Sequence, residues 1–341
     1  MTAMRVAIRA DASRELGFGH VKRCLALAAA LRQGGIEMHF FATASDVDVA
    51  AMVQGAGLDC TLLDTIDAIA PLRDYAPQIV LVDHYRLDAD WHGAARAQCD
   101  AARIAVIDDL ANRPLDAEMV IDHNPDPDPA AKYRPLMRRP TLLCAGLRFA
   151  LLDPVYAAHP RHVYSSRVGS IGIFMGGSDA ENFSAFAWQA CREGAGWTGL
   201  IEIASTSANP QLDALRELCQ RDPRTTLLLD APNLAAFHAR HDLQLGAGGG
   251  ACWERCCLGV PSVVLVCADN QLASVPPLAR GHAAVGLDAR ARSDAQRAEL
   301  GRIVRRLIDS PDTRQALHRA SLGLVDGLGA QRAAAALMTL Q

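Results

Sequence analysis

Short apolar runs that end in polar residues recur along this chain, with segments of helical spacing between them. In the first half, strands are predicted at residues 6–10, 38–42, 79–82, 104–107, 119–122 and 141–144, and helices at 20–32, 47–54 and 91–99. The rhythm breaks over 152–167, where Asp153-Pro154, His159-Pro160 and a polar run to Arg167 read as an interdomain connection. It then restarts, with strands predicted at 171–175, 200–204, 225–229, 243–245 and 262–266, and a helix at 182–191. Beyond Arg297 the pattern is helical, apart from breaks near Pro311 and Gly327. Continuous rather than alternating apolar strands indicate parallel sheets covered on both faces. The fold class expected is therefore α/β, with two doubly wound, Rossmann-like parallel-sheet domains, 1–160 and 161–341. Such folds bind ligands at the carboxyl ends of their strands, so the expected site is the cleft between the domains.

Composition narrows the function. Half of the 341 residues are apolar, 21% are charged and the net charge is −4. That balance argues against a nucleic-acid partner, which calls for a basic surface. No membrane association is expected, since the longest apolar runs, such as 260–268 with Pro261 and Ser262 inside, are far too short to span a bilayer. Residues 1–10 carry no signal-peptide pattern. The ten cysteines are scattered, mostly within apolar runs, as buried free thiols are in a reducing compartment, so a cytoplasmic location is expected. Cys252, Cys256 and Cys257 have no second ligand pair at zinc-site spacing, and neither a metal nor a cofactor is expected.

Six segments carry candidate chemistry. Gly246-Ala247-Gly248-Gly249-Gly250-Ala251-Cys252-Trp253-Glu254 follows a strand and opens a helix. Glycines there admit a ligand close to the backbone, and free N–H groups at a helix start suit a diphosphate. Glu254, about one turn in, could accept hydrogen bonds from a ribose diol; the alternative is a strand-to-helix turn with a buried, paired glutamate. The second segment runs from Arg9-Ala10-Asp11 through Gly17-Phe18-Gly19-His20-Val21-Lys22-Arg23. His20 stands at a helix start, where the dipole disfavours an imidazolium, and is either a general base or a helix-capping histidine. Asp83-His84-Tyr85 ends another strand and either hydrogen-bonds a sugar hydroxyl or amide or is a plain loop; Asp108-Asp109 ends a further one and could serve acid–base work or bind a divalent metal, although such an aspartate more often caps the next element. Gly176-Gly177-Ser178-Asp179 with Asn182 is another glycine loop before a helix, and two such loops can close on one nucleotide. Asp269-Asn270-Gln271 offers donors and acceptors suited to sugar substituents, or a simple cap.

Taken in order, these segments resemble the UDP-sugar hydrolases of the pseudaminic acid pathway, a GT-B-like family. The resemblance spans nearly the whole chain. It implies a GT-B fold and a nucleotide-sugar hydrolase that releases UDP from UDP-2,4-diacetamido-2,4,6-trideoxy-β-L-altropyranose, on a route to surface glycans such as modified flagellin. It implies that His20 activates a water for attack at the anomeric carbon, with C–O cleavage and inversion. Glu254 would hold the uridine ribose on the C-terminal domain. Tyr85, Asn270 and Gln271 would face the sugar, and Gly19, Gly177, Ser178, Gly248 and Gly249 would line the substrate. One departure stands out: the family's Gly-Gly-Ser-Thr-Ser-Trp-Glu pattern becomes Gly248-Gly249-Gly250-Ala251-Cys252-Trp253-Glu254, so three hydroxyls are absent and backbone N–H groups must carry more of the phosphate contact.

Two other functions fit parts of this pattern. A GT-B glycosyltransferase would pass the sugar of a UDP-amino-sugar to an acceptor. With a lipid-linked acceptor it should show an apolar patch flanked by basic residues, whereas Lys22, Arg23 and Arg32 are dispersed. A non-catalytic nucleotide-sugar binder would explain the altered loop but not a retained His20. The oligomeric state is not readable from the sequence.

Overall fold

The computed structural model describes residues 4–32 and 34–340. The chain divides into two compact units, Met1–Pro154 with Gly327–Gln341, and Val155–Asp326.

The first unit holds a seven-stranded, all-parallel sheet. Its strands are β1 (Arg5–Ala10), β2 (Glu37–Thr43), β3 (Asp59–Leu63), β4 (Ile79–Asp83), β5 (Arg103–Ile107), β6 (Met119–Asp122) and β7 (Leu142–Ala145), in the order β3-β2-β1-β4-β5-β6-β7. The second unit holds a six-stranded parallel sheet of β8 (Ser170–Phe174), β9 (Leu200–Ser205), β10 (Thr225–Leu229), β11 (Leu243–Ala247), β12 (Ser262–Val266) and β13 (Val285–Asp288), in the order β10-β9-β8-β11-β12-β13. In each sheet the chain starts centrally, winds to one edge, then returns to wind to the other. The reversal lies between β1 and β4 in the first unit and between β8 and β11 in the second, and that is where such sheets open a crevice at their carboxyl ends.

The continuous apolar runs are explained by burial on both faces. Along β1, Val6, Ile8 and Ala10 pack into one core with Val21, Cys24 and Leu27, while Ala7 packs into a second with Val80, Val82 and Ile104. The central strands β4, β11 and β12 are buried at every position. The two strands that the pattern misses, β3 and β13, are edge strands with several exposed or half-buried positions, so neither shows an unbroken apolar run.

The domain boundaries differ from 1–160 and 161–341. The helix Gly329–Leu337 belongs with the first unit: Ala330, Ala333, Ala334 and Leu337 sit in the same core as Val21, Cys24, Leu27 and Ala28 of the helix Gly19–Arg32. Its four small or apolar residues need a partner face, and the nearest one in sequence is not the one it uses. Gly329 lies so close to the Ala150 backbone that a Cβ there would collide with it.

Candidate functional site

The carboxyl edge of the first sheet gathers charged and polar residues from β1, β4, β5 and β6. β1 ends beside β4, with Ala10 level with Asp83. Arg9 is fully buried and forks onto Asp11 at 2.5 and 3.0 Å, with further bonds to Thr43 Oγ1 and the Ile66 carbonyl. Asp11 also accepts the Thr43 N–H at 2.7 Å and lies 3.2 Å from His84 Nε2. Burial would raise the Asp11 carboxyl, but His84, Arg9 and Thr43 hold it well below the usual carboxylate range. This part of the opening motif therefore braces the loop that leads to His20.

His20 is the second residue of the helix Gly19–Arg32 and is buried. Its Nδ1 lies 2.6 Å from Asp83 Oδ1, and its ring meets that of Tyr85 edge-on at 4.5 Å between centroids. Arg23, one helical turn on, bonds both oxygens of Asp83, from Nε at 2.5 Å and from Nη2 at 2.7 Å, and reaches Asp109 at 2.8 Å. Arg23 Nη2 also sits 3.2 Å from His20 Nδ1. A guanidinium can only donate, so the shorter contact to an acceptor-only carboxylate decides the tautomer: Nδ1 carries the proton and gives it to Asp83. The other ring nitrogen, Nε2, then keeps the lone pair. Asp83 is fully buried; desolvation would raise its carboxyl, yet Arg23 and His20 hold it well below the ordinary range. Tyr85 is pushed upward, first by burial and then by the charge of the nearby Asp109 carboxylate.

The sequence reading singled out His20, Asp83 and Tyr85, and the fold brings all three together. It gave Arg23 no role of its own, although the spacing of three from His20 on a helix places both on one face. It also passed over His123, which follows β6, is 6% exposed, and lies within the field of Arg23, Asp109, Asp83 and His20. Burial and the Arg23 charge lower its imidazole to about 4. Asp108 caps the turn after β5 by accepting the Ala111 N–H at 2.8 Å, pairs with Arg113 at 2.5 Å and takes the Tyr133 hydroxyl at 3.0 Å. The carboxylate pair thus splits between a structural aspartate and one that faces Arg23.

In the second unit, three segments leave adjacent strands at one sheet edge: residues 175–182 after β8, 248–250 after β11 and 267–273 after β12. The two glycine loops differ in what their helices need. The helix Phe183–Gln189 is already capped: Asp179 accepts the Phe183 and Ser184 N–H groups at 2.8 and 2.9 Å, and Asn182 accepts that of Ala185 at 3.3 Å. Burial raises the Asp179 carboxyl to about 6. The Gly177 carbonyl accepts the Thr206 hydroxyl at 2.8 Å, and Ser178 beside it is half-buried. The helix Gly250–Leu258 has no side-chain cap; its N-cap is Gly249, at φ +94°. Of the two helix starts, this one is unclaimed by a protein carboxylate.

The four loop glycines have separate causes. At Gly246 a Cβ would collide with the guanidinium of buried Arg255, which instead donates to the Ala247 carbonyl at 3.0 Å. At Gly248 it would collide with Gln271 and Val275. Gly249 is fixed by its left-handed backbone, and Gly250 faces open space. Packing therefore accounts for Gly246 and Gly248, which the sequence reading assigned to close approach of a ligand. Gln271 is similarly committed: its Oε1 accepts the Cys267 N–H at 2.8 Å, leaving the amide N–H groups for other partners. Asn270 beside it is exposed.

Glu254 is partly buried, its side chain 19% exposed, with Oε2 3.2 Å from Nε2 of the fully buried His238. His238 Nδ1 in turn lies 2.7 Å from Gln244 Oε1. Of the two alternatives raised for Glu254, the paired glutamate is seen in this contact, and the carboxylate also retains exposed surface. All ten cysteines are free. Among the described residues no helix is long and apolar enough to cross a membrane, and no group of three or more His, Cys, Asp or Glu could hold a metal ion.

No family model matches the chain. It is 24% identical over 245 residues to the UDP-2,4-diacetamido-2,4,6-trideoxy-beta-L-altropyranose hydrolase of Campylobacter jejuni, covering 68% of this chain and 80% of that one. It is 23% identical over 341 residues to the spore coat polysaccharide biosynthesis protein SpsG of Bacillus subtilis, covering 99% and 98%. Among solved structures, MurG of Acinetobacter baumannii superposes with a TM-score of 0.66 at 14% identity, covering 98% of this chain and 99% of that one. With its two parallel α/β sheets of seven and six strands, the chain has the GT-B fold.

Proposed function

We propose that the chain is a nucleotide-sugar hydrolase. Its second unit holds UDP, and its first unit supplies the base that activates water. The substrate class is a UDP-linked diacetamido-trideoxyhexose such as UDP-2,4-diacetamido-2,4,6-trideoxy-β-L-altropyranose, the compound in the name of the Campylobacter relative. The observation that carries the reading is the buried His20–Asp83 contact of 2.6 Å, locked by Arg23. Asp83 fixes the tautomer that leaves a lone pair on Nε2, as a general base requires. An imidazolium formed at His20 is stabilised by a carboxylate that stays ionised.

In the reaction, the water oxygen bonds to the anomeric carbon as its proton passes to His20 Nε2. The bond from that carbon to the diphosphate oxygen breaks, and its electron pair leaves with UDP. Attack opposite the leaving group inverts the centre. Backbone N–H groups at the uncapped start of the helix Gly250–Leu258, reached through Gly248 and Gly249, take up the charge that develops on the diphosphate. Gly177 and Ser178 form the second loop of the nucleotide site, and Glu254 accepts the ribose hydroxyls. Tyr85, held edge-on to His20, and Gly19 at the helix start line the reacting end. Asn270 and the free amide of Gln271 address the sugar. No residue is assigned to protonate the leaving group, because a nucleoside diphosphate departs as a stabilised anion.

A glycosyltransferase of the same fold would use the same nucleotide loop, so the discriminating experiment omits any acceptor. Incubation with the UDP-linked diacetamido-trideoxyhexose alone is expected to give UDP and free sugar in equal amounts. Turnover that starts only when an acceptor is added would replace this reading with transfer, and binding without turnover in either setting would leave a binding protein.

A further inference from the structure

The pair His238–Glu254 has a proton problem that the nearby geometry defines. Gln244 Nε2 donates to the His238 carbonyl at 3.0 Å and to that of Phe237 at 3.4 Å. Carbonyls only accept, so the amide cannot be turned round, and its Oε1 must face His238 Nδ1 at 2.7 Å. Nδ1 therefore carries a hydrogen. Nε2, facing Glu254 Oε2 at 3.2 Å, has a hydrogen to donate only if the ring is protonated. With a neutral ring, a lone pair confronts the carboxylate, which must then turn away or take up a proton itself. A protonated carboxyl is the poorer acceptor for a diol.

The surroundings do not supply that proton for free. His238 is fully buried; burial lowers its imidazole and the Glu254 carboxylate pulls the other way, with the net shift downward. Glu254 and Arg255 face it from the helix Gly250–Leu258, Gln244 from β11, and Tyr156 from the helix Pro154–Ala158 at 6.4 Å between ring centroids. Arg240 and His241, next along its own segment, are engaged with Glu202. Glu254 is thus the acidic partner of the ring.

We infer that His238 is a positioning residue for Glu254, that one proton is shared between them, and that nucleotide binding draws this proton onto His238. The inference rests on the ribose role proposed for Glu254. Its sign follows from linkage: a ligand that prefers the protonated ring binds more weakly as pH rises through the His238 titration, and ligand binding raises that titration in turn.

The test uses UDP-glucose, whose diphosphate diester carries no group titrating between about pH 5 and pH 8. Its affinity for the wild-type chain is expected to rise about tenfold from the top of that range to the bottom, the equivalent of one pKa unit. In His238→Gln the side-chain amide can donate to Glu254 at every pH, so affinity is expected to stay near the low-pH wild-type value and be flat. A wild-type profile that is flat, or a slope unchanged in His238→Gln, would overturn the inference. If the variant does not fold, ¹⁵N-imidazole titration of the wild-type protein decides: ligand should raise the His238 midpoint, and an unmoved midpoint would overturn the proposal. Glu254→Ala separates the two readings. Weakened binding there, together with a His238 midpoint that ligand leaves unmoved in the wild-type chain, removes only the inference, whereas unchanged binding removes the ribose assignment together with it.

Discussion

His20→Asn is expected to bind the UDP-sugar with near wild-type affinity and to lose roughly 10²- to 10⁴-fold in kcat, the range that a positioned general base contributes. Asn is close to His in reach and can still donate to Asp83, so the Asp83–Arg23–Asp109 network has a partner at that position. What disappears is the lone pair that Nε2 holds in the tautomer set by Asp83. Steady-state rates with separate binding of UDP would show a fall in kcat with little change in affinity. Wild-type turnover in this variant would exclude His20 as the base.

Asp83→Asn should be more damaging, because two functions end together. The carboxylate accepts both Arg23 bonds and the His20 proton from a position fully closed to solvent. Its replacement leaves Arg23 with Asp109 as its remaining carboxylate and offers His20 an amide that can also donate, which releases the tautomer. Removing one partner of a buried pair costs about 3–5 kcal/mol, because an uncompensated charge stays behind. Urea unfolding should register that loss, and the folded fraction should turn over at least as slowly as His20→Asn. Normal stability would mean that Arg23 is not held as described. The same network sets the acid response of the wild-type chain. Asp11, Asp83 and Asp109 all have carboxyls lowered in the folded state. Their contribution is complete above the unfolded value of about 3.9 and is lost as pH falls below it through the lowered folded values. Stability should therefore fall steeply on the acid side of that point, and less steeply in Asp83→Asn.

The central strands were legible in the sequence because burial on both faces leaves an unbroken apolar run, as in β4, β11 and β12. The edge strands β3 and β13 were not, because part of each meets solvent. The return of the helix Gly329–Leu337 to the first unit was hidden for another reason: alanines at helical spacing show that a face is buried but not against which sheet. In the candidate site, His20 was legible as a polar residue opening a helix after a glycine loop, and Tyr85 as one just beyond an apolar strand. Their link through Asp83 to Arg23 depends on β1 and β4 lying side by side, a pairing that the 72 residues between Ala10 and Asp83 conceal. The glycine run was the reverse case. It looked uniform in sequence, yet Gly246 and Gly248 answer to Arg255 and Gln271, while Gly249 and Gly250 stand at the uncapped helix start. The departure from the family pattern, Gly250-Ala251-Cys252, falls there, and Cys252 is buried rather than presented to a ligand.

The claim that water, activated in the first unit, attacks the sugar carbon and not the phosphorus is tested most directly by turnover in ¹⁸O-water. One labelled oxygen is expected in the released sugar and none in UDP. Label in UDP would place the attack at phosphorus and contradict the account.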